Sequence, residues 1–130
     1  MNRMAAGILA AFLLAGALSC SSGTGPVAGM LTVSLHTPNA GADGAILLTV
    51  TGPQALTSVT AGAGLRAFSE PLSTGTKIAL TGPLSDGAIV SIGVADVAKV
   101  AQYHAAVQGV AASADFQLRS LAGYTLTVAR

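Results

Sequence analysis

The feature that most constrains the fold of this chain is a two-residue alternation of apolar and polar side chains, broken repeatedly by glycine and proline. Residues 30–36 show it most clearly, because every second residue is apolar: Leu31, Val33 and Leu35. Successive side chains of a strand point to opposite faces, so this pattern predicts a strand with one buried face. The residues that follow, 37–44, are rich in Pro, Asn, Asp and Gly and therefore predict a turn.

The same reasoning predicts strands along the rest of the chain. They cover residues 45–51, 55–61, 65–69, 77–81, 88–95, 116–118 and 124–128. Proline donates no ladder hydrogen bond, so Pro53, Pro71 and Pro83 are expected to follow the ends of the strands before them. Asp43 and Asp86 each precede glycine, and both are interpreted as turn residues whose carboxylates bind nearby backbone.

Residues 96–113 fit two structures. As a helix, Asp96 would cap the first turn, and one face would carry apolar residues at steps of three and four. As a strand, Tyr103 and Val107 would face inward, and a bulge at Gly109 would turn Val110 inward as well. The strands on both sides of the segment favour the strand interpretation.

Seven or eight short strands, separated by turns at intervals of about 8–12 residues, predict an all-β chain. The expected architecture is a single β-sandwich over residues 30–130, with immunoglobulin-like or jelly-roll connections. Residues 84–94 also resemble the segment of bacterial cohesin domains in which an Asp-Gly turn leads into an alternating core strand. This likeness covers eleven residues. It supports the sandwich and carries over no binding surface.

The N-terminus has a positive residue, Arg3, then an uncharged apolar run over residues 5–18 that ends at Ala17-Leu18-Ser19-Cys20. These features describe a secretory signal, and the run is shorter than the roughly 20 residues of a membrane span. The segment resembles a bacterial lipoprotein signal peptide, although Ala17 and Leu18 stand in the reverse of the usual order. The resemblance implies a signal peptide over residues 1–19, cleavage between Ser19 and Cys20, and lipidation of Cys20. The alternative is an ordinary secretory signal that leaves Cys20 as a free thiol.

A lipidated Cys20 would tie the protein to a membrane through two or three acyl chains, each buried methylene contributing about 0.8 kcal/mol. Residues 20–29 would form the lipidated cysteine and a flexible tether, and the nine small residues 21–29 reach about 15–18 Å. No aspartate follows Cys20, since Ser21 and Ser22 come next. The resemblance therefore favours the outer membrane, with the folded part facing the periplasm or the cell surface.

Charge excludes one class of partner. Without residues 1–19, five acidic residues balance five basic residues, which are Arg66, Lys77, Lys99, Arg119 and Arg130. Nucleic-acid binding normally requires a basic patch, so no nucleic-acid partner is expected. Charged residues make up only 8% of the whole chain, against about 25% in ordinary domains. The core must therefore be built mainly from small aliphatic side chains.

Candidate chemical groups are few. His36 and His104 are distant in sequence and are interpreted as exposed side chains rather than metal ligands. Asn39 and Asp43 could offer oxygen ligands to calcium, but the turn interpretation is favoured. Tyr103 and Tyr124 could line a sugar- or peptide-binding surface, although core or edge positions with the hydroxyl in water are favoured. No catalytic residue, cofactor or metal is predicted.

The sequence thus predicts a lipid-anchored, non-enzymatic binding or scaffolding module of the bacterial cell envelope, with a protein or carbohydrate partner. One alternative is an envelope enzyme or ligand-binding protein with a loop-built site; an enzyme would bring two titratable side chains into one pocket. Another is a subunit of a larger envelope assembly, which would expose a broad apolar face. An unprotected edge strand could also pair with a partner.

Overall fold

The computed structural model of the protein describes residues 25–130. Within them, eight strands form two four-stranded antiparallel sheets packed face to face as a single β-sandwich. The strands are β1 (Gly29–His36), β2 (Asp43–Thr51), β3 (Ser58–Ala61), β4 (Arg66–Leu72), β5 (Gly75–Leu84), β6 (Gly87–Val94), β7 (His104–Ala112) and β8 (Thr125–Ala129). Sheet A has the order β3-β6-β1-β8, and sheet B has the order β4-β5-β2-β7. The predicted all-β sandwich is confirmed.

The strands pair in a nested order. β4 pairs with β5 in a tight hairpin, and β3 pairs with β6, β2 with β7, and β1 with β8. Counted outward from the β4–β5 hairpin, the pairs alternate between sheet B and sheet A. Each of the first four strands therefore pairs with one of the last four. This is a jelly-roll type of connection. Of the two connection types that the sequence allowed, the structure has this one.

The core lies between the two sheets and consists of the inward-facing side chains, which alternate with outward-facing ones along the strands. The largest fully buried side chains are Leu31, Val33, Ile46, Leu48, Val50, Ile78, Leu80, Leu84, Ile89, Val90, Ile92 and Val94. The predicted inward face of the first strand is confirmed, since Leu31, Val33 and Leu35 are all buried. Aliphatic residues dominate this core, as the composition requires.

Residues 96–113 contain both of the structures that the sequence allowed. Asp96 caps a short 3₁₀ helix, Val97–Gln102, by accepting a hydrogen bond from the backbone N–H of Ala98 at 3.1 Å. Strand β7 then begins at His104. The predicted bulge is present, because Leu47 pairs with Gly109 while Leu48 pairs with Val107, and Val110 is buried.

Two predicted strand ends are wrong. β4 continues through Pro71, which pairs with Thr76, because β4 is an edge strand and can accommodate a residue without an N–H. β5 continues through Gly82 and Pro83, which lie opposite an irregularity in the pairing with β2. The ladder is interrupted there, so the missing N–H of Pro83 breaks no pairing.

The turn before β2 also differs from the prediction. Its positive φ, 81°, is at Gly41 rather than at Gly44, and Asp43 is already the first residue of β2. The second Asp-Gly pair, Asp86-Gly87, does lie in a turn, because Gly87 has a φ of 112°. Residues 116–118 form no strand; only one isolated bridge joins Leu118 to Ala111.

We expect Leu48→Ala to lower the free energy of unfolding by about 2–5 kcal/mol, because Leu48 is fully buried between the sheets and its truncation leaves a cavity. Leu118→Ala is the matched control, since the Leu118 side chain is exposed, and we expect a change near zero. Urea unfolding followed by circular dichroism measures both. Equal losses for the two variants would contradict this account of the core.

Candidate functional site

The middle of the outer face of sheet B is unusually apolar for a solvent-facing surface. The strand registers place Phe68 opposite Ala79, Ala79 opposite Leu47, and Leu47 opposite Gly109, so one uncharged row crosses all four strands. A sheet with one solvated face normally presents polar residues outward. This row therefore marks the outer face of sheet B as a candidate contact surface.

The segment that follows β7 builds a wall beside this row. We call residues 113–121 the strap. The strap turns back along β7 through hydrogen bonds from the Ala112 N–H to the Gln117 carbonyl (2.9 Å) and from the Arg119 N–H to the Val110 carbonyl (2.8 Å). It places Leu118, whose side chain is 83% exposed, beside Ala111.

The row and the strap together enclose a groove of about 520 Å³. Its lining is mostly apolar and includes Ala45, Leu47, Ala79, Gly109, Ala111, Leu118 and Leu121. A second depression of about 260 Å³ shares Leu47 and Ala79 with it and is also lined by Phe68, Ser69, Glu70 and Lys77. The two form an elongated groove across sheet B, apolar along its floor and charged at the end beyond Phe68, which we call the sheet B groove.

The strap is held by a carboxylate buried under its base. Asp43 has no exposed side-chain surface, and its Oδ1 accepts a hydrogen bond of 2.9 Å from Nε of Arg119. Nη2 of Arg119 also donates to the Ala42 carbonyl at 3.3 Å. This ion pair fixes the residue next to Leu118, and so fixes the position of the groove wall.

Three further side chains complete the surroundings of Asp43. The Thr37 hydroxyl donates to Oδ2 at 2.6 Å, and the Tyr124 hydroxyl lies 2.9 and 3.0 Å from the two carboxylate oxygens. Nδ2 of Asn39 donates to the Tyr124 hydroxyl at 2.9 Å. Among the described residues, no buried side-chain nitrogen or oxygen lacks a hydrogen-bond partner. We call this set of five residues the Asp43 cluster.

The Asp43 cluster corrects several sequence-based interpretations. Asp43 binds side chains up to 81 positions away rather than local backbone. It cannot serve with Asn39 as a calcium ligand, because its oxygens already accept from three donors, one of them a guanidinium. Tyr124 is buried with its hydroxyl in this cluster rather than in water, and Tyr103 is buried in the core, so neither lines a binding surface.

The remaining candidate groups lie apart from the groove. Asp86 accepts a 2.7 Å hydrogen bond from the Thr37 N–H, another long-range contact where a local one was predicted, and lies 3.5 Å from Nδ1 of His36. His36 and His104 are both exposed, as predicted. Within residues 25–130, no group of three His, Cys, Asp or Glu side chains could hold a metal ion.

A polar cavity of about 590 Å³ lies on the other side of the strap and is lined in part by Asn39, Asp115, Gln117 and Arg119. Arg119 is already engaged by Asp43, and Asp115 accepts a hydrogen bond from the Gln117 N–H at 3.1 Å. Two of the polar side chains that line this cavity are therefore already hydrogen-bonded within the protein, which leaves fewer polar groups to bind a ligand.

Sequence reasoning missed both the sheet B groove and the strap. One signal was present, since Ala45, Ile46, Leu47 and Leu48 are four consecutive apolar residues where a strand with one solvated face would alternate. No comparable signal connects Asp43 with Arg119. Their pairing depends on how β2 and the strap meet in space.

The predicted signal peptide, with Ser19 and the lipidated Cys20, lies outside the described residues. In residues 25–130, no helix has the length and apolar character needed to cross a membrane.

We expect Asp43→Ala to lower the free energy of unfolding by about 3–5 kcal/mol, because it leaves Arg119 without its buried counter-charge. Asp115→Ala is the control, since Asp115 is an exposed residue with one local hydrogen bond, and its loss should cost about 1 kcal/mol or less. Urea denaturation of both variants measures the difference. If Asp43→Ala were no more destabilising than Asp115→Ala, the cluster would not be what holds the strap.

Comparisons of the chain with known protein families, with curated proteins and with solved structures found no match. The interpretation of the sheet B groove therefore depends on its own geometry.

Proposed function

We propose that this protein is a non-enzymatic binding or scaffolding module, anchored at the bacterial cell envelope through a lipidated Cys20, and that the sheet B groove receives an extended apolar segment of a protein partner. The observation that carries this proposal is the uncharged row of Phe68, Ala79, Leu47 and Gly109 beside the exposed Leu118.

The size of the groove supports a binding role. Ligand sites typically enclose about 300–1,000 Å³, and the main part of the groove encloses about 520 Å³. The second depression lengthens the groove toward Phe68, so an extended segment fits it better than a compact ligand.

The chemistry of the groove favours a protein partner over a carbohydrate. Sugars are held by hydrogen-bonding side chains around an aromatic platform. In the groove this combination occurs only in the smaller depression, where Ser69, Glu70 and Lys77 surround Phe68, and the main part has no aromatic residue in its lining. The floor is built from Ala45, Leu47, Ala79 and Gly109, which carry no side-chain hydrogen-bonding groups. Burial of apolar surface would therefore supply most of the binding free energy.

Most titratable residues lie in separate parts of the described sandwich, which supports binding rather than catalysis. Asp43 is buried and accepts three hydrogen bonds, and Asp96 caps the 3₁₀ helix. Asp115 and His104 line two different cavities, and the exposed pair of His36 and Asp86 lines neither part of the sheet B groove. The titratable residues that do line the groove are Arg119, which Asp43 engages, and Glu70 and Lys77, which face each other across β4 and β5 in the smaller depression.

The position of the groove is compatible with an anchor at Cys20. The described chain enters β1 at Gly29, while the Asp43 cluster contacts Thr37 just past the other end of this strand. Eight strand residues span about 26 Å. The groove wall at Leu118 therefore lies near the end of the sandwich that is remote from the entering chain, where an anchored molecule would leave it accessible.

We expect the native chain to incorporate a fatty-acid analogue and to fractionate with membranes, because the thiol of Cys20 would be acylated. Cys20→Ala should lose the label and its membrane association. Metabolic labelling followed by membrane fractionation measures both. Leu18→Ala, which leaves the thiol in place, is a control that should retain label. Absence of label in the native chain would refute the lipid anchor.

We expect Leu47→Glu to weaken binding of the anionic, aromatic fluorophore 1-anilinonaphthalene-8-sulfonate by roughly tenfold or more, because the substitution puts a charge of the same sign in the middle of the groove floor. Thr32→Glu places the same charge on the outer face of sheet A and should leave binding unchanged. Fluorescence titration of a chain lacking residues 1–19, with Cys20→Ala, measures both. Equal affinities of the two variants would refute the sheet B groove as a binding surface without affecting the anchor.

A further inference from the structure

β4 is an exposed edge of sheet B. It pairs with β5 on one side only, and its outward side chains include Phe68, which is 57% exposed. An edge strand with unpaired N–H and carbonyl groups can pair with a strand of another molecule. The question is what partner strand would fit it.

The register of the β4–β5 hairpin shows which backbone groups are free. The hairpin closes on Leu72 and Gly75, which are separated by two residues and so exchange both of their hydrogen bonds. Hydrogen-bonded and non-hydrogen-bonded pairs alternate along an antiparallel ladder. Glu70, Phe68 and Arg66 are therefore bonded to β5, whereas Ala67, Ser69 and Pro71 direct their backbone groups to the open edge.

The charges of β4 are symmetric about Phe68. Arg66 lies two residues before Phe68 and Glu70 two residues after it, and all three side chains point to the outer face of sheet B. An antiparallel pair of β4 strands related by a two-fold axis at Phe68 would place each Arg66 opposite Glu70 of the other copy. Opposite charges at directly facing positions stabilise a strand pair.

We propose that the partner of this edge is a second copy of the same chain, paired antiparallel through β4 with Phe68 on the two-fold axis. Ala67 of each copy then faces Ser69 of the other, and these are the residues whose N–H and carbonyl groups are free. The pairing supplies four backbone hydrogen bonds and two Arg66–Glu70 pairs. It joins the two B sheets into one sheet of eight strands.

The ends of β4 limit this pairing to its centre. Pro71 offers no N–H at the edge, and the Leu65 N–H already donates to the Gly62 carbonyl at 3.1 Å. Hydrogen bonding to the second copy would therefore stop at Ala67 and Ser69. Such a short interface is suited to molecules that a membrane anchor already concentrates and holds in similar orientations.

The other three edges of the described sandwich fit a second copy less well. β3 has only four residues, and the strap bonds to part of β7 through Gln117 and Arg119. β8 has five residues and carries no charged side chain. β4 alone combines free backbone groups at Ala67 and Ser69, an exposed aromatic residue between them and opposite charges placed symmetrically around it.

Disulfide trapping in cells that express the full chain tests the proposal. Facing residues of a non-hydrogen-bonded pair have Cα atoms about 4.5 Å apart, within the range that a disulfide spans. Phe68→Cys should therefore give a disulfide-linked dimer on non-reducing electrophoresis after mild oxidation. The native chain is the control for any disulfide formed through Cys20. Thr60→Cys, on the β3 edge, measures how much disulfide forms by random collision. A yield for Phe68→Cys no higher than for Thr60→Cys would overturn the proposal.

Charge reversal provides the second arm, in the Phe68→Cys background. Arg66→Glu places like charges opposite each other twice, so we expect roughly tenfold less trapping. Within each chain Glu70 faces Lys77, so the reversal of Glu70 must be accompanied by Lys77→Glu. Arg66→Glu combined with Glu70→Arg and Lys77→Glu restores opposite charges and should restore the yield. Lys99→Glu, on the 3₁₀ helix, is the matched control and should have no effect. Failure of the combined reversal to recover trapping would overturn the two-fold register, provided circular dichroism shows that the variant is folded.

Discussion

The buried carboxylate of Asp43 makes the interactions on which the position of the strap, and with it the sheet B groove, depends. A carboxylate without solvent contact is tolerated only when its charge and its acceptor positions are satisfied. Arg119 supplies the counter-charge, while the hydroxyls of Thr37 and Tyr124 complete the shell. Thr37 comes from the β1–β2 turn, whereas Arg119 lies in the strap and Tyr124 just before β8. The carboxylate therefore ties the β1–β2 turn to two neighbouring segments near the C-terminal end of the described chain.

The position of the strap decides what sheet B presents to solvent. Arg119 is drawn inward to Asp43, so its neighbour Leu118 is left on the outer side beside Ala111. The wall of the groove is thus set by electrostatics and its floor by strand register. The Asp43 cluster consequently has a structural role, although all five of its side chains are polar.

Three surfaces of the sandwich have separate physical characters. The outer face of sheet A carries hydroxyl side chains such as Thr32, Ser34 and Thr127, which is ordinary for a solvated sheet. The outer face of sheet B has an apolar row across its middle, which fits the sequence-based alternative of a larger envelope assembly as well as the proposed binding module. The β4 edge adds a self-complementary strand, and two copies joined there would place their grooves on one continuous sheet.

The sequence by itself determined the all-β class, most of the strands, the buried face of β1, the cap at Asp96 and the bulge before Val110. These follow from local rules, because side-chain alternation and capping act over a few residues. Tertiary structure alone decided that β4 runs through Pro71, that Asp43 pairs with Arg119, and that Leu47 lies on a groove floor. Each of these depends on which segments become neighbours in space. The contacts that stabilise one arrangement over another join residues that are far apart in sequence, so local patterns do not reveal them.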